Sequence, residues 1–385
     1  METREVRSCS ELPDSLKEEI LKRLPVECIC RFRSVSQKWN AFLTSTRFIT
    51  TEWADFPSNK KPWLVLCDLD CKIRCWAYCF STMMWKPYFS LRFINKWDSD
   101  AYYHGSATGL LFVNIQKQND LIVCNPLTGR SVMLPAPSSV RAPSYMLAKG
   151  IVAGKCDGDL QTYKVVAVCE EQGADNVIQS VEIYDSSEKS WTTARYVPDR
   201  VSVMGQRMVF SDGYFYCKAT FEDNARTRGI VGLSLQNDSS LFTPLPPDLA
   251  NGNMFYNLVA CGSRILLVGW VWENRSKILQ EVHIWELQKV NVDSHIDASW
   301  LEIARMPPLI HEDVKRIWPL ERCFQFVGVG DCVCFRGRRS MEVAIYSLTE
   351  NAWSWLPSCP LQNDSSVSNR TWIYSFEPRP DMKVS

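Results

Sequence analysis

From about residue 60 to residue 377 the chain repeats one phrase: an apolar run, a short polar turn, a Trp or another apolar residue, and then often Leu-Pro. The clearest copies are LIVCNPLTGRSVMLP (121–135), VEIYDSSEKSWTTARYVP (181–198) and VAIYSLTENAWSWLP (343–357). Looser copies are AYCFSTMMWKPY (77–88), GLSLQNDSSLFTPLP (232–246) and VHIWELQKVNVDSHIDASWLEIARMP (282–307). The residue after the turn is Trp85, Val132, Trp191, Phe242, Trp300 and Trp353, at spacings of 47 to 59 residues. A period of this size marks a repeat fold, in which each unit must stack on its neighbours to bury its apolar faces. Between the phrases lie further apolar runs, several entered through Gly-containing turns: SATGLLFV (106–113), SDGYFYC (211–217), CGSRILLVGW (261–270) and GDCVCF (330–335). Each period therefore carries about four strands, the content of one propeller blade. Six copies predict a mainly β fold of about six four-stranded blades. TWIYSF (371–376) is placed to close the ring against WLVLC (63–67).

Residues 10–50 follow another period. Leu16, Ile20, Leu21 and Leu24 fall at i, i+4, i+5 and i+8, one apolar face of a helix. Pro13 suits the first helical position, and Asp14 puts a negative charge in the first turn. Pro25 ends this helix and starts the next, because its fixed φ suits a helix start and not an interior. Cys28, Ile29 and Phe32 make a second short face. Ser34 reads as the N-cap of a third helix, on which Val35, Trp39, Phe42 and Leu43 lie together. Chains as short as ~40 residues seldom bury this much apolar surface without staples or a partner. Either the three helices cap the β domain, or part of their apolar face belongs to another protein.

The stretch LPDSLKEEILKRLP (12–25), with CRFRSVSQKWNAFL (30–43) and Phe48, resembles an F-box over the whole of that motif. The matching positions are Leu12, Pro13, Leu16, Ile20, Leu21, Leu24, Pro25, Arg33, Val35, Lys38, Trp39 and Phe48. Ser36 stands where many F-boxes have Cys. The resemblance implies that Leu12, Pro13, Leu16, Ile20, Leu21, Leu24, Pro25, Arg33, Val35 and Trp39 bind a Skp-family adaptor, and through it a cullin and a RING protein. The repeats resemble the kelch type and the F-box-associated propellers common in plant F-box proteins. The double Gly of the kelch motif is missing, however, and four of the six copies keep Trp. These resemblances imply a domain order of N-terminal tail (1–9), three-helix F-box (10–50), linker (51–61), kelch-like β-propeller (62–377) and C-terminal tail (378–385). They also imply a function, the non-catalytic substrate-recognition subunit of an SCF-type ubiquitin ligase, whose propeller captures a target protein for ubiquitination. Two alternatives stay open: a non-proteolytic propeller binding module or transcriptional co-regulator, and a propeller enzyme.

In a four-stranded antiparallel blade, alternate connections lie at opposite ends. The tight turns NPLTGR, DSSEKS and LTENAW share one end; the long connections 136–149, 170–179, 218–229, 271–281 and 307–322 share the other. Recognition concentrates on long loops held by a rigid scaffold, and Arg and Trp are favoured at interface hot spots. The candidate substrate-binding residues are therefore Arg141, Arg226, Arg228, Trp272, Arg275, Lys315, Arg316 and Trp318, with Arg336, Arg338 and Arg339 of FRGRRS. They suit a protein target presenting acidic or phosphorylated groups. For each of them a solvated rim position is the alternative.

The formal net charge is zero, which leaves no global electrostatic drive towards nucleic acid or an anionic membrane. The opening METREVRSCSEL lacks the apolar core of a secretion signal, and no stretch reaches the ~18 uninterrupted apolar residues of a membrane span. The expectation is a protein of the nucleus, the cytoplasm or both, with its 16 Cys as reduced thiols. Cys67, Cys71, Cys75 and Cys79 are spaced by four, and four thiolates can hold zinc. They lack a C-x2-C knuckle, and residues four apart in a strand share a face, so a core role is expected. Cys332 and Cys334 alternate in an apolar strand in the same way. Four His, namely His104, His283, His295 and His311, and no nucleophile elbow, P-loop or dinucleotide fingerprint point away from catalysis; no metal or cofactor is expected.

Overall fold

The computed structural model describes residues 12–21, 24, 28, 32, 35–43, 45, 61–68, 74–87, 101–115, 120–137, 145–156, 159–172, 177–223, 226–237, 239–250, 254–272, 279–292, 295–318, 324–338, 340–363, 371–379, 382 and 384. The strands in chain order are β1 (Trp63–Asp68), β2 (Arg74–Cys79), β3 (Met84–Pro87), β4 (Ala101–Ala107), β5 (Leu110–Ile115), β6 (Asp120–Asn125), β7 (Arg130–Leu134), β8 (Tyr145–Cys156), β9 (Asp159–Gln172), β10 (Val177–Asp185), β11 (Ser190–Tyr196) and β12 (Val201–Ser211). They continue with β13 (Tyr214–Phe221), β14 (Thr227–Ser234), β15 (Ser240–Pro244), β16 (Met254–Cys261), β17 (Arg264–Trp272), β18 (Leu279–Val292), β19 (His295–Arg305), β20 (Phe324–Val329), β21 (Cys332–Gly337), β22 (Ala344–Ser347), β23 (Ala352–Trp355) and β24 (Thr371–Phe376).

Four sheets have four strands, in the orders β24-β1-β2-β3, β4-β5-β6-β7, β16-β17-β18-β19 and β20-β21-β22-β23. A fifth has eight, β11-β10-β9-β8-β12-β13-β14-β15. Its two antiparallel halves meet at one parallel pair, Arg207 with Lys149. The strands β24, β4, β8, β12, β16 and β20 each neighbour the next, and β20 returns to β24, so they run round a ring. The arrangement is mainly β and propeller-like. The expected closure is present: β24 pairs antiparallel with β1 from Trp63↔Phe376 to Asp68↔Thr371.

Burial follows position in this ring. β5 is buried at every residue, because a middle strand of a sheet packed between two neighbours has no wet face. β11, on the outside, carries only exposed and half-buried residues. Short hairpins turn the chain where the sequence places Gly: Asp212 and Gly213 both have positive φ, +49° and +79°, the pairing that suits a two-residue hairpin turn between twisted strands. In NPLTGR, Asn125 Oδ1 accepts the Leu127 N–H at 3.0 Å, and its Nδ2 donates to the carbonyls of Arg379 and Met382, each at 2.9 Å.

The Trp and Pro of the repeat meet across sheet boundaries. Trp191 Nε1 donates to the Pro135 carbonyl at 2.7 Å, Trp300 Nε1 to that of Pro244 at 2.9 Å, and Trp85 Nε1 to that of Pro357 at 2.6 Å. Each bond joins the outer strand of one sheet to a Pro at or just beyond the end of the outer strand of the sheet before it. Trp353 occupies the same repeat position, but its buried Nε1 has no partner among the described residues.

Four α-helices have described bounds, α1 (Asp14–Leu21), α2 (Gln37–Leu43), α3 (Pro247–Ala250) and α4 (Pro308–Ile317), and Pro360–Asn363 forms a 3-10 turn. Ser34, the expected cap, lies outside the described residues. Ser36 takes the capping role, its Oγ accepting the Trp39 N–H at 3.2 Å. Leu21 and Leu43 are buried in one apolar cluster with Trp63, Val65 and Phe376 of the closing sheet. None of the described helices is long and apolar enough to cross a membrane. The reading of every Cys as a reduced thiol is corrected at one place: Cys67 and Cys75 form a disulfide. They face each other directly across the β1–β2 pair, Cα to Cα at 4.1 Å, which brings two thiols within bonding reach. Cys71 lies outside the described residues, while Cys79 is a buried free thiol.

Two substitutions test this packing. A Cβ on Gly328 of β20 would collide with the Ala260 carbonyl oxygen of β16, so Gly328→Ala should destabilise the ring by ~1–3 kcal/mol in urea unfolding. Trp191→Phe should cost about 1 kcal/mol more than Trp353→Phe, because only the first removes an indole hydrogen bond. Equal losses would show that the Trp191–Pro135 bond contributes nothing.

Candidate functional site

The helical head presents two unlike faces. Leu21 is 1% exposed and faces the closing sheet's cluster, whereas Leu16 and Ile20 of the same helix are 50% and 51% exposed. Val35 is 64% exposed and Pro13 is exposed too. Leu12, Leu24 and Trp39 are half-buried, with Trp39 packed between Phe32 and Phe42 at ring-centre distances of 5.4 and 6.2 Å. Pro25 and Arg33 lie outside the described residues. Leu16, Ile20 and Val35 are thus apolar side chains held in water by a scaffold whose other side is already packed.

The described candidates on the propeller do not form one site. Arg141, Arg275 and Arg339 lie outside the described residues, as does the side chain of Trp272 at the end of β17. Arg226 is exposed in a left-handed turn (φ +51°), its N–H donating to the Asp223 carbonyl at 3.2 Å. Arg316 on α4 pairs with Asp313 at 2.6 Å, and Lys315 with Glu312 at 3.2 Å. Arg338 is exposed at the side chain, while its carbonyl accepts from Arg336 Nη2 at 2.9 Å. Two candidates are corrected. Trp318 is 6% exposed and packs against Phe324, Phe335 and Trp355, because the turn after α4 folds it under the helix into the core. Arg336 is fully buried on β21, where its guanidinium donates to Gln325 Oε1, to the Ser340 and Arg338 carbonyls and to Thr371; it ties β21 to β24 and is not available to a ligand.

Arg228 leads to a different place. Its guanidinium lies 5.4 Å from the centre of the Tyr256 ring, and Lys218 Nζ lies 4.7 Å from the same ring. Lys218 lines a hollow of about 310 Å³ in the throat of the ring, with Tyr103, His104, Gly205, Arg207, Asn257 and Leu258. Tyr103, Gly205 and Asn257 stand in the first half of β4, β12 and β16, and Lys218 of β13 pairs with Met204 of β12, so the hollow lies towards the end where β4, β12 and β16 begin and the long connections gather. Arg207 reaches from β12 to β4, its guanidinium carbon 4.7 Å from the centre of the Tyr103 ring. Tyr103, His104 and Arg207 also line a second cavity of about 440 Å³, together with Ala107, Phe210 and Ala260 from the later parts of the same strands. The Arg207–Tyr103 contact is therefore shared by the two cavities. A bulge in β12 between Met204 and Val209 makes room for it.

The throat is electrostatically costly. Burial, followed by the charge of Arg228, pulls the Lys218 ammonium down to about 8. Burial also lowers Arg207, against the opposing pull of Tyr103. Tyr103 and Tyr256 are both raised, chiefly by burial, although Arg207 and Arg228 respectively act to lower them. Of these residues only Arg228 is among the sequence candidates. Tyr103, Arg207, Lys218 and Tyr256 lie within strands, and the one local signal is a Lys inside the apolar run YFYCKATF.

The sign of the Lys218 effect is testable. A Lys whose folded value lies below its unfolded value costs stability in full below about pH 8, and that cost fades as pH rises towards the ordinary Lys range. Lys218→Met should therefore raise Tm at pH 7, and the gain over wild type should shrink by pH 10. A gain independent of pH would mean that lost charge is not the cause.

Comparison with known proteins agrees with both parts of this architecture. Residues 9–51 match the F-box domain family, and residues 92–351 match the family described as F-box associated beta propeller domain. The chain is similar to F-box only protein 6 of Arabidopsis thaliana, 26% identical over 392 residues, covering 97% of this chain and 75% of that one. It is also similar to an F-box/kelch-repeat protein of the same plant, 24% identical over 389 residues with 96% and 89% covered, and to Protein UNUSUAL FLORAL ORGANS, 21% identical over 398 residues with 94% and 82% covered. With most of its length matched, the chain belongs to the F-box proteins that carry an F-box associated β-propeller domain.

Proposed function

We propose that this protein is the substrate-recognition subunit of an SCF-type ubiquitin ligase. Its head docks a Skp-family adaptor, which links it to a cullin and a RING protein, and its propeller holds a target protein for ubiquitination. The receptor itself makes and breaks no bond; it supplies orientation and effective concentration, acting in the nucleus, the cytoplasm or both. We read the head as three helices and the ring as six blades, counting the eight-stranded sheet as two blades bridged at β8 and β12.

One observation carries the docking role. Leu16, Ile20 and Val35 form an exposed apolar set on a head whose opposite side is anchored by Leu21 and Leu43. A surface that only capped the propeller would bury its large apolar side chains against it. Membership of the F-box family supports the adaptor as the partner.

The test is capture of a Skp-family adaptor by the full chain, compared with a Leu16→Glu, Ile20→Glu double variant. Both residues are half-exposed, so the variant should unfold at the wild-type temperature. Burying two such side chains in an interface is worth about 1.5–3 kcal/mol each, so capture should weaken roughly a hundredfold or more. Wild-type capture by the variant would end the docking role of this face.

A further inference from the structure

The throat gathers positive charge that the rest of the fold does not use. Arg207 and Lys218 line the hollow together, and Arg228 shares the Tyr256 ring with Lys218. Among the described residues no carboxylate pairs with any of the three, although ion pairs are formed elsewhere on the molecule. In a chain of zero formal net charge, two cations lining one hollow and a third beside it, none paired with a described carboxylate, are a local feature and not spill-over from a basic protein. Their neighbours are aromatic faces, Tyr103 under Arg207 and Tyr256 under Lys218 and Arg228. Such faces stabilise a cation without neutralising it. A half-buried cation left in this state is stabilised by any anion that enters.

We propose, building on the reading of the propeller as a target receptor, that this throat binds a phosphate monoester dianion seated between Arg207 and Lys218. Arg228 supplies further positive charge, and Tyr103 and Tyr256 form flat walls. Two features favour phosphate over carboxylate. A dianion matches the surplus charge more closely than a single negative charge does. Three acceptor oxygens also suit a planar guanidinium fork beside an ammonium and the Asn257 amide. A hollow of about 310 Å³ holds the phosphate and the small group that carries it, not a folded domain. Its position towards the end where the long connections gather leaves that group continuous with whatever those loops hold. The ester is either a phosphorylated side chain of a bound target or a small free organic phosphate.

The experiment is calorimetric titration of the full-length chain at pH 7 and constant ionic strength. The probes are phenyl phosphate, a short phosphoserine peptide and the same peptide unphosphorylated. The phosphorylated probes should bind and the unphosphorylated peptide should not. Lys218→Met and Arg228→Met should each weaken binding roughly tenfold or more, while Lys218→Arg, which keeps the charge, stays within a few-fold of wild type. Tighter binding of the phosphopeptide than of phenyl phosphate identifies a phosphorylated target residue as the source; equal binding identifies a free organic phosphate. Thermal unfolding of each variant on the same samples separates loss of the site from loss of the fold. Adaptor capture, read in parallel, should be unchanged in the throat variants, so a failure here is distinct from a failure of the docking head. Absence of binding by wild-type protein, or wild-type affinity in folded Lys218→Met, would overturn the proposal.

Discussion

A ring of radial sheets has no loose edge only if the end of the chain comes back to its beginning. Here that constraint is met by one antiparallel pair, β24 against β1, running from Trp63↔Phe376 to Asp68↔Thr371. The rest of the architecture depends on it. β24 is the innermost strand of the sheet that β1 begins, and it stands between β20 and β4. Arg336 reinforces the closure from the neighbouring sheet through its bonds to Thr371, and Asn125 holds the segment just beyond it through the carbonyls of Arg379 and Met382. Open that pair and the inner faces of two sheets become wet.

The hairpin phrase was readable because its residues solve local problems. Asn125 makes a turn, Gly213 permits positive φ, and Trp191 and Pro135 answer each other across a boundary. The partnership explains why Trp and Pro recur in the same phrase although each bonds the neighbouring copy. What was not readable depends on tertiary neighbours. Arg336 looks like an exposed loop cation in FRGRRS, yet β21 extends through Gly337 and gives its guanidinium a full set of acceptors. Trp318 caps a helix whose inner side, Ile310 and Val314, is buried in the core, so the residue ending the helix goes inward. Cys67 and Cys75 are eight residues apart, but the hairpin sets them face to face. In the head, the apolar face of α1 was legible, but not its division between Leu21 inside and Leu16 and Ile20 outside.

The throat shows a trade between stability and use. Nothing in strand pairing requires Lys218 at its place in β13; an apolar side chain there would remove a charge held at a disadvantage. The same holds for Arg207, which reaches from β12 to rest on Tyr103 and has no carboxylate partner among the described residues. Natural chains keep such residues where another molecule completes their surroundings, and pay for them in the free state. On α4 outside, by contrast, Arg316 and Lys315 already have carboxylate partners in Asp313 and Glu312.

Leu21 and Leu43 of the head sit in the same apolar cluster as Trp63, Val65 and Phe376. Whatever path the chain takes between them, the head and the closing sheet share a core. A module joined only by a flexible connector samples a cloud of positions, and the encounter rate between two bound partners then follows connector length. A module seated in a common core behaves as a lever instead. The distance from α1 to the mouth of the throat is set by side-chain packing, so in the proposed receptor only those surface lysines of a captured molecule that fall within a fixed arc would come within reach. Loosening Leu21 or Leu43 would widen that arc while leaving both proposed surfaces intact.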